Sequence, residues 1–415
     1  MARRHAARHF GRGRAPCDGR QRQVHQCRRA AHGGCQTQAR KTRPETRPCE
    51  GKGAAGTAGR PFTASETGRQ VQMTLATAFR EQAKSNEALG SPFSARVLRL
   101  VADRIAPGSP VMDRMLAFEG DIGPSGQSVP LRLLGGLHAL VLSGEDPDLA
   151  ACYPPNPATD DATLGAALDA ALATRTDTLL TYLALPPQTN EVRRSAVMIA
   201  AGHWLADRYG LPFVLTELGA SAGLNLMWDR YALDLPCGYR GPADPAVTLS
   251  PDWTGPCPPE AKIEVTDRRG IDVAPLDVHD PADERRLLSY LWADQPERIE
   301  RTRAAIAVYD AQVDQSDAMS FLPIRVAIRR PGHIHLVFHT IAWQYFPPAT
   351  KAACEIAFEA AGKAATLDAP IARLSMEADG QGPGAAMTLT TWPGGEVHNL
   401  GRVDFHGRWV DWQAP

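Results

Sequence analysis

Apolar positions recur at helical spacing from Met73 to about Gly210. After Ser91-Pro92, an N-cap followed by proline at the first helical position, Val97, Leu98, Val101 and Ile105 fall on one face. The same spacing predicts helices over 73–87, 130–143, 162–185 and 191–209. The last is closed by Gly210, the residue type that most readily takes the left-handed conformation ending a helix. Proline-rich stretches at 153–157 and 185–187 read as connections, and no strand pattern interrupts the region.

Beyond Gly210 the pattern changes. Short apolar runs at 212–218, 263–265, 270–273 and 333–340 read as strands, alternating with helical patterns at 280–293, 296–309 and 349–363. Such alternation predicts a mostly parallel sheet with helices on its faces. The runs 371–375, 386–391 and 397–410, with a Pro-Gly-Gly turn at 393–395, read as an antiparallel end. The expected fold class is therefore α/β, with a Rossmann-like sheet after an all-helical region. The expected division is a basic arm (1–72), a helical cap (73–210) and an α/β domain (211–415). Residues 228–262 are long for a connection and read as a candidate lid.

Composition sharpens this division. Of 415 residues, 43% are hydrophobic, enough for a sizeable core, while no apolar run approaches the roughly 20 residues that span a bilayer. Residues 1–72 carry 16 Lys/Arg against 4 Asp/Glu, and the remainder carries 29 against 42. An acidic body repels phosphate backbones, which argues against nucleic acid as its partner. The arm, rich in Arg, Gly, Ala and Gln, is expected to be disordered, and Met73, at the opening of the first helix, reads as an alternative start. Its cysteines (Cys17, Cys27, Cys35, Cys49) have irregular gaps without metal-site spacing. Cys152, Cys237, Cys257 and Cys354 are scattered, which suits reduced thiols in a cytoplasm. Nothing in the pattern sets the oligomeric state.

The candidate chemistry lies in Phe213-Val214-Leu215-Thr216-Glu217-Leu218-Gly219-Ala220-Ser221-Ala222-Gly223-Leu224-Asn225, a strand entering a turn of small residues that another molecule can approach closely. It resembles the cofactor turn of class I S-adenosylmethionine-dependent methyltransferases, with Glu217, Gly219, Ser221 and Gly223 in the motif positions and Ser221 in place of the usual middle glycine. That resemblance implies S-adenosylmethionine as cofactor and a small molecule as substrate. It makes Asp272 the ribose ligand and Asp317 the adenine ligand, gives Glu217 the cofactor's ammonium, and counts Asn225 with the turn among the cofactor-binding residues. His339, Trp343 and Tyr345, at the end of the fourth strand, would face the substrate, with His339 as a possible base.

The same turn also fits G-x-S-x-G, the elbow presenting a nucleophilic serine. Ser221 would then act with a later acid such as Asp277 or Asp317 and with His339 or His398. The helical region upstream weighs against this, because a hydrolase elbow follows several earlier strands. A third possibility is a binding protein that has lost catalysis. Taken singly, Asp272 and Asp317 suit helix caps or turns, His339 a half-buried strand position, and Trp343 and Tyr345 packing.

Six stretches together carry a resemblance at family level: Pro130-Leu131-Arg132-Leu133-Leu134-Gly135, Glu217 through Asn225, Trp228-Asp229-Arg230-Tyr231, Arg268-Arg269-Gly270-Ile271-Asp272, Trp292-Ala293-Asp294-Gln295-Pro296-Glu297-Arg298 and Trp343-Gln344-Tyr345. They resemble the bacterial domain of unknown function 2332 from about Met73 to the C-terminus. The resemblance implies a cytoplasmic bacterial protein and leaves the chemistry to the residues.

Overall fold

Helices come first, and their apolar stripes pack mainly on one another. The computed structural model describes residues 74–124 and 126–414, so the basic arm and Met73 lie outside the described residues. Among the described residues, eight α-helices precede the first strand: α1 (Leu75–Ala88), α2 (Pro92–Ala102), α3 (Pro110–Leu116), α4 (Val129–Ser143), α5 (Pro147–Ala151), α6 (Asp161–Thr174), α7 (Thr176–Ala184) and α8 (Ser195–Tyr209). The helix expected over 162–185 is two. Arg175 leaves helical geometry between α6 and α7, and its guanidinium pairs with the buried Asp146 at 3.1 Å. Helices α1–α7 bury Phe79, Leu98, Leu133, Leu137 and Leu168 in one core, which Trp292 from the segment after Ser289 completes. Helix α8, capped by Gly210 at φ 65°, instead packs Val197, Ile199 and Leu205 into the core of the sheet.

Twelve strands follow: β1 (Phe213–Leu218), β2 (Tyr231–Leu235), β3 (Gly238–Arg240), β4 (Val247–Leu249), β5 (Asp252–Thr254), β6 (Val265–Asp272), β7 (Gln312–Gln315), β8 (Ile334–Thr340), β9 (Ile371–Glu377), β10 (Ala385–Trp392), β11 (Glu396–Val403) and β12 (Trp409–Trp412). Helices α9 (Pro281–Ser289) and α10 (Pro296–Ala307) separate β6 from β7. Helix α11 (Ala318–Ala327) leads to β8, and α12 (Pro348–Ala364) leads to β9. Nine strands form one sheet in the order β5-β12-β11-β10-β9-β8-β1-β6-β7. Pairing is parallel from β7 through β9, antiparallel from β9 through β12, and parallel again between β12 and β5. The fold is thus a mixed α/β arrangement around a large, mostly parallel sheet. Central β1 and β8 are buried along their whole length, as strands covered on both faces must be.

Four further expectations need correction. The two strands expected at 263–265 and 270–273 are one, β6, which runs beside β1 from Phe213↔Val265 to Leu218↔Ile271. Its polar middle conceals it in the sequence, since Arg268 and Arg269 reach out to Asp229 and Asp314. The strand expected over 397–410 is two, β11 and β12, folded back at Gly407 with φ 69°. Residues 228–262 form no lid over the cavity described below, and none of them lines it. They build the three-stranded sheet β3-β2-β4 and supply β5. Within that segment Cys237 and Cys257 form a disulfide across 6.5 Å between their Cα atoms, where the scattered spacing read as reduced thiols. Among the described residues no helix is long and apolar enough to cross a membrane.

Candidate functional site

Parallel strands deliver their carboxyl ends to one edge of the sheet, and between β1 and β8 the chain changes the direction in which it adds strands. A crevice forms there for topological reasons. Small-molecule sites occupy about 300–1,000 Å³; the cavity here measures about 410 Å³ and is bounded by the ends of β1, β6, β7 and β8. Gly219 and Ser221 come from the turn after β1, Asp272 and Val273 from the end of β6, Ser316 and Asp317 from the segment after β7, and Ile341 and Tyr345 from the segment after β8. Gln188 and Thr189, from the connection ahead of α8, close one side.

The turn is strained where the motif departs from glycine. Gly219, Ser221 and Gly223 all have positive φ, at 70°, 54° and 77°. A left-handed serine costs about 1–2 kcal/mol that a glycine would not. Its hydroxyl donates to Gln188 Oε1 at 2.8 Å, and its N–H donates to Asp272 Oδ2 at 2.8 Å. Ile341, also on the cavity, has φ 52°, unusual for a β-branched residue. Backbone strain of this kind clusters at ligand-binding clefts. The N–H groups of Gly219 and Ala220 both donate to Ile271 O at 2.9 Å, and that of Gly223 donates to Ala220 O. The turn therefore offers a ligand closeness more than free donors. At Gly219 a side chain is excluded from another direction, since an added Cβ would lie 2.6 Å from that of Ala342.

The two aspartates stand differently. Asp272 accepts one N–H on each oxygen, from Ser221 and from Ala274 at 2.9 Å, which leaves acceptor capacity on both. Asp317 caps α11 by accepting from Met319 N at 2.8 Å, and the Thr350 hydroxyl donates to it as well at 3.2 Å. It lines the cavity while doing what a cap does.

Glu217 lies beneath the cavity rather than on it, with 2% of its surface exposed. Burial pushes its carboxyl well above the usual range and Asp272 adds to this, while Arg194 and Asn225 oppose it. Its Oε2 and the Nδ2 of Asn225 have no hydrogen-bond partner among the described residues. Asn225 is buried too, accepting the Ser195 hydroxyl at 2.8 Å.

Of the three residues expected to face a substrate, only Tyr345 lines the cavity, at its mouth and 61% exposed. His339 is fully buried. Its Nδ1 lies 2.8 Å from Glu377 Oε1, Arg373 donates to its other nitrogen at 3.3 Å, and Trp343 stacks on its ring at 4.9 Å. Burial holds its pKa below the ordinary value although Glu377 opposes this. His339 is a strand histidine out of reach of the cavity, and Trp343 is its cover. The sequence reading missed Gln188, Thr189, Ile341 and Thr350. The first two sit next to the Leu185-Pro186-Pro187 stretch, whose only signal was that of a connection.

These features define an α/β protein with a ligand-sized crevice at the carboxyl ends of parallel strands. The chain belongs to the bacterial family described as "Uncharacterized protein conserved in bacteria (DUF2332)", which matches residues 76–412. No match was found among curated proteins or among solved structures.

Proposed function

We propose that this protein is an S-adenosylmethionine-dependent methyltransferase acting on a small molecule in a bacterial cytoplasm. The observation that carries the reading is convergence: Gly219 with Ser221, Asp272 and Asp317, from three separate stretches of the chain, line one cavity. The strand order β7-β6-β1-β8-β9 supports it, being third, second, first, fourth and fifth among the strands of a doubly wound sheet. The residues present fit such a cofactor. Asp272 has spare acceptors for a pair of ribose hydroxyls, Asp317 stands one strand end further on, and the turn leaves the backbone open to close approach. When bound, the cofactor supplies an electrophilic methyl group on a sulfonium. The chain's own task is then to hold two molecules in line and keep water out, which needs positioning more than a strong base. The burial of His339 is consistent with that division of labour, and Tyr345 at the mouth contributes to positioning.

Calorimetry with S-adenosylhomocysteine tests the proposal. The wild type is expected to bind, and Asp272→Ala to bind at least tenfold more weakly. No binding by the folded wild type would overturn it.

One observation favours a serine hydrolase instead, the strained left-handed Ser221. Against it, the Ser221 hydroxyl is engaged by Gln188, and among the described residues no histidine lies within hydrogen-bond distance of it. Labelling of Ser221 by a fluorophosphonate would revive that reading.

A further inference from the structure

A second, smaller cavity of about 170 Å³ adjoins the first and shares Pro187 and Thr189 with it. Its walls come from α4 (Leu131, Leu134), from the segment after α9 (Tyr290, Trp292), and from Glu191, Arg194, Arg298 and His406. The distribution of charge in it is uneven. Arg298 donates from Nε to Glu191 Oε2 at 2.7 Å and from Nη1 to Gln295 Oε1 at 3.1 Å. Burial alone would raise the Glu191 pKa, but Arg298 and His406 outweigh it and bring it down to about 2, so this pair is ionised and balanced. His406, whose pKa is lowered by burial and by Arg298 to about 4, carries no charge at neutral pH.

Arg194 has no such balance. Its Nε donates to Phe405 O at 3.0 Å and its Nη1 to Thr340 O at 3.1 Å, two main-chain carbonyls that fix the guanidinium without neutralising it. No carboxylate lies within ion-pair distance of it among the described residues. Three acids act on it only through space: Glu191 is already paired with Arg298, Glu377 is engaged by His339 and the N–H groups of Ala342 and Trp343, and Glu217 is pushed towards its neutral form. The Nη2 groups of Arg194 and Arg298 make no hydrogen bond among the described residues, and both residues line this cavity. A half-buried guanidinium that lacks a bonded counter-charge leaves donor capacity for an anion, and arginine's fork suits a carboxylate.

We propose that this cavity is a carboxylate-binding site organised by Arg194, with Arg298 supplying a second donor. It holds one uncompensated positive charge, and its volume admits a carboxylate with a short chain or one small ring. Two sources have this chemistry: the amino-acid end of S-adenosylmethionine itself, or a carboxylate on the acceptor substrate. The choice between them rests on the methyltransferase reading, whereas the site does not.

The test compares benzoate with benzamide by calorimetry and ligand-observed NMR on the full chain at constant ionic strength. Wild type is expected to favour the carboxylate at least fivefold, Arg194→Met to lose the preference, and Arg194→Lys to keep part of it. Equal binding of acid and amide by wild type, a comparison that needs no variant, would overturn the proposal. So would a preference that survives in folded Arg194→Met.

S-adenosylhomocysteine and 5′-methylthioadenosine, which lacks the amino-acid end, then separate the sources. If the cofactor supplies the carboxylate, S-adenosylhomocysteine displaces benzoate. In that case Arg194→Met weakens S-adenosylhomocysteine at least tenfold and leaves the thioadenosine unchanged. If the acceptor supplies it, benzoate and S-adenosylhomocysteine bind together and only benzoate responds to the substitution. Failure of wild type to bind either nucleoside would remove the methyltransferase reading, while the benzoate comparison would still judge the cavity.

Discussion

Replacing Ser221 by alanine and by glycine in parallel isolates the strain in the turn. Both substitutions remove the hydroxyl that donates to Gln188 Oε1, and Gln188 is itself buried, with its amide donating to Ala274 O at 2.8 Å. The loss leaves a buried acceptor unpaired, at about 1–3 kcal/mol, equally in both variants. They differ only in the backbone. Alanine keeps the left-handed penalty of roughly 1–2 kcal/mol at φ 54°, whereas glycine escapes it. Glycine gives back about 0.4–1 kcal/mol through the greater freedom of its unfolded chain. The balance makes Ser221→Gly more stable than Ser221→Ala by ~0.5–1 kcal/mol, the reverse of the order at ordinary positions. Urea denaturation followed by fluorescence and circular dichroism reads this as a higher midpoint for glycine at unchanged slope. An alanine variant as stable as the glycine variant would refute the argument, because residue 221 would then not be held left-handed. The same pair bears on function: under the methyltransferase reading Ser221→Gly, which restores the usual middle glycine, binds S-adenosylhomocysteine within a few-fold of wild type.

Glu217 makes stability depend on pH in a definite direction. Its pKa is raised on folding, so the native state holds the proton more tightly than the unfolded chain, and stability is lost as pH rises from about 4.3 through the folded value. Glu217→Gln, which cannot ionise, is expected to gain on wild type between pH 4.5 and pH 8 in denaturation midpoints; a constant difference across that range would contradict the assignment. In α8, Gly202→Ala tests packing against propensity: an added Cβ would lie 2.4 Å from the Trp228 ring, so the variant is expected to be less stable by about 1–3 kcal/mol despite alanine's better helix propensity. A stabilised variant in a thermal melt would show that Trp228 moves aside freely.

The elements with one strong local signal were legible in the chain. Helix α2 announces itself through Ser91-Pro92 and its apolar face, α8 through Gly210, and β1 and β8 through continuous apolar runs that only strands covered on both faces require. Strand β6 was not legible as a unit, because its middle is polar and its character comes from the neighbour β1 rather than from its own pattern. Helices α3 and α5 are too short for a period to register. At the site, the turn and the two aspartates could be read because such residues occur where strands end, which is a local property.

The roles of the remaining residues were settled by contact. Nothing around His339 in the sequence reveals that Glu377, 38 residues on, would hold it in a dry interior, or that Trp343 would lie over it. Nor does any local pattern distinguish Arg298, which finds Glu191, from Arg194, which finds only main-chain carbonyls. Spacing along a chain encodes which residues repeat on one face, so sequence alone determined the helical half, the α/β half and the turn after β1. Whether a charge is paired, or a side chain reaches a cavity, depends on segments brought together from 38 to 211 residues away. Long-range packing decides that, and so the tertiary structure alone decided it.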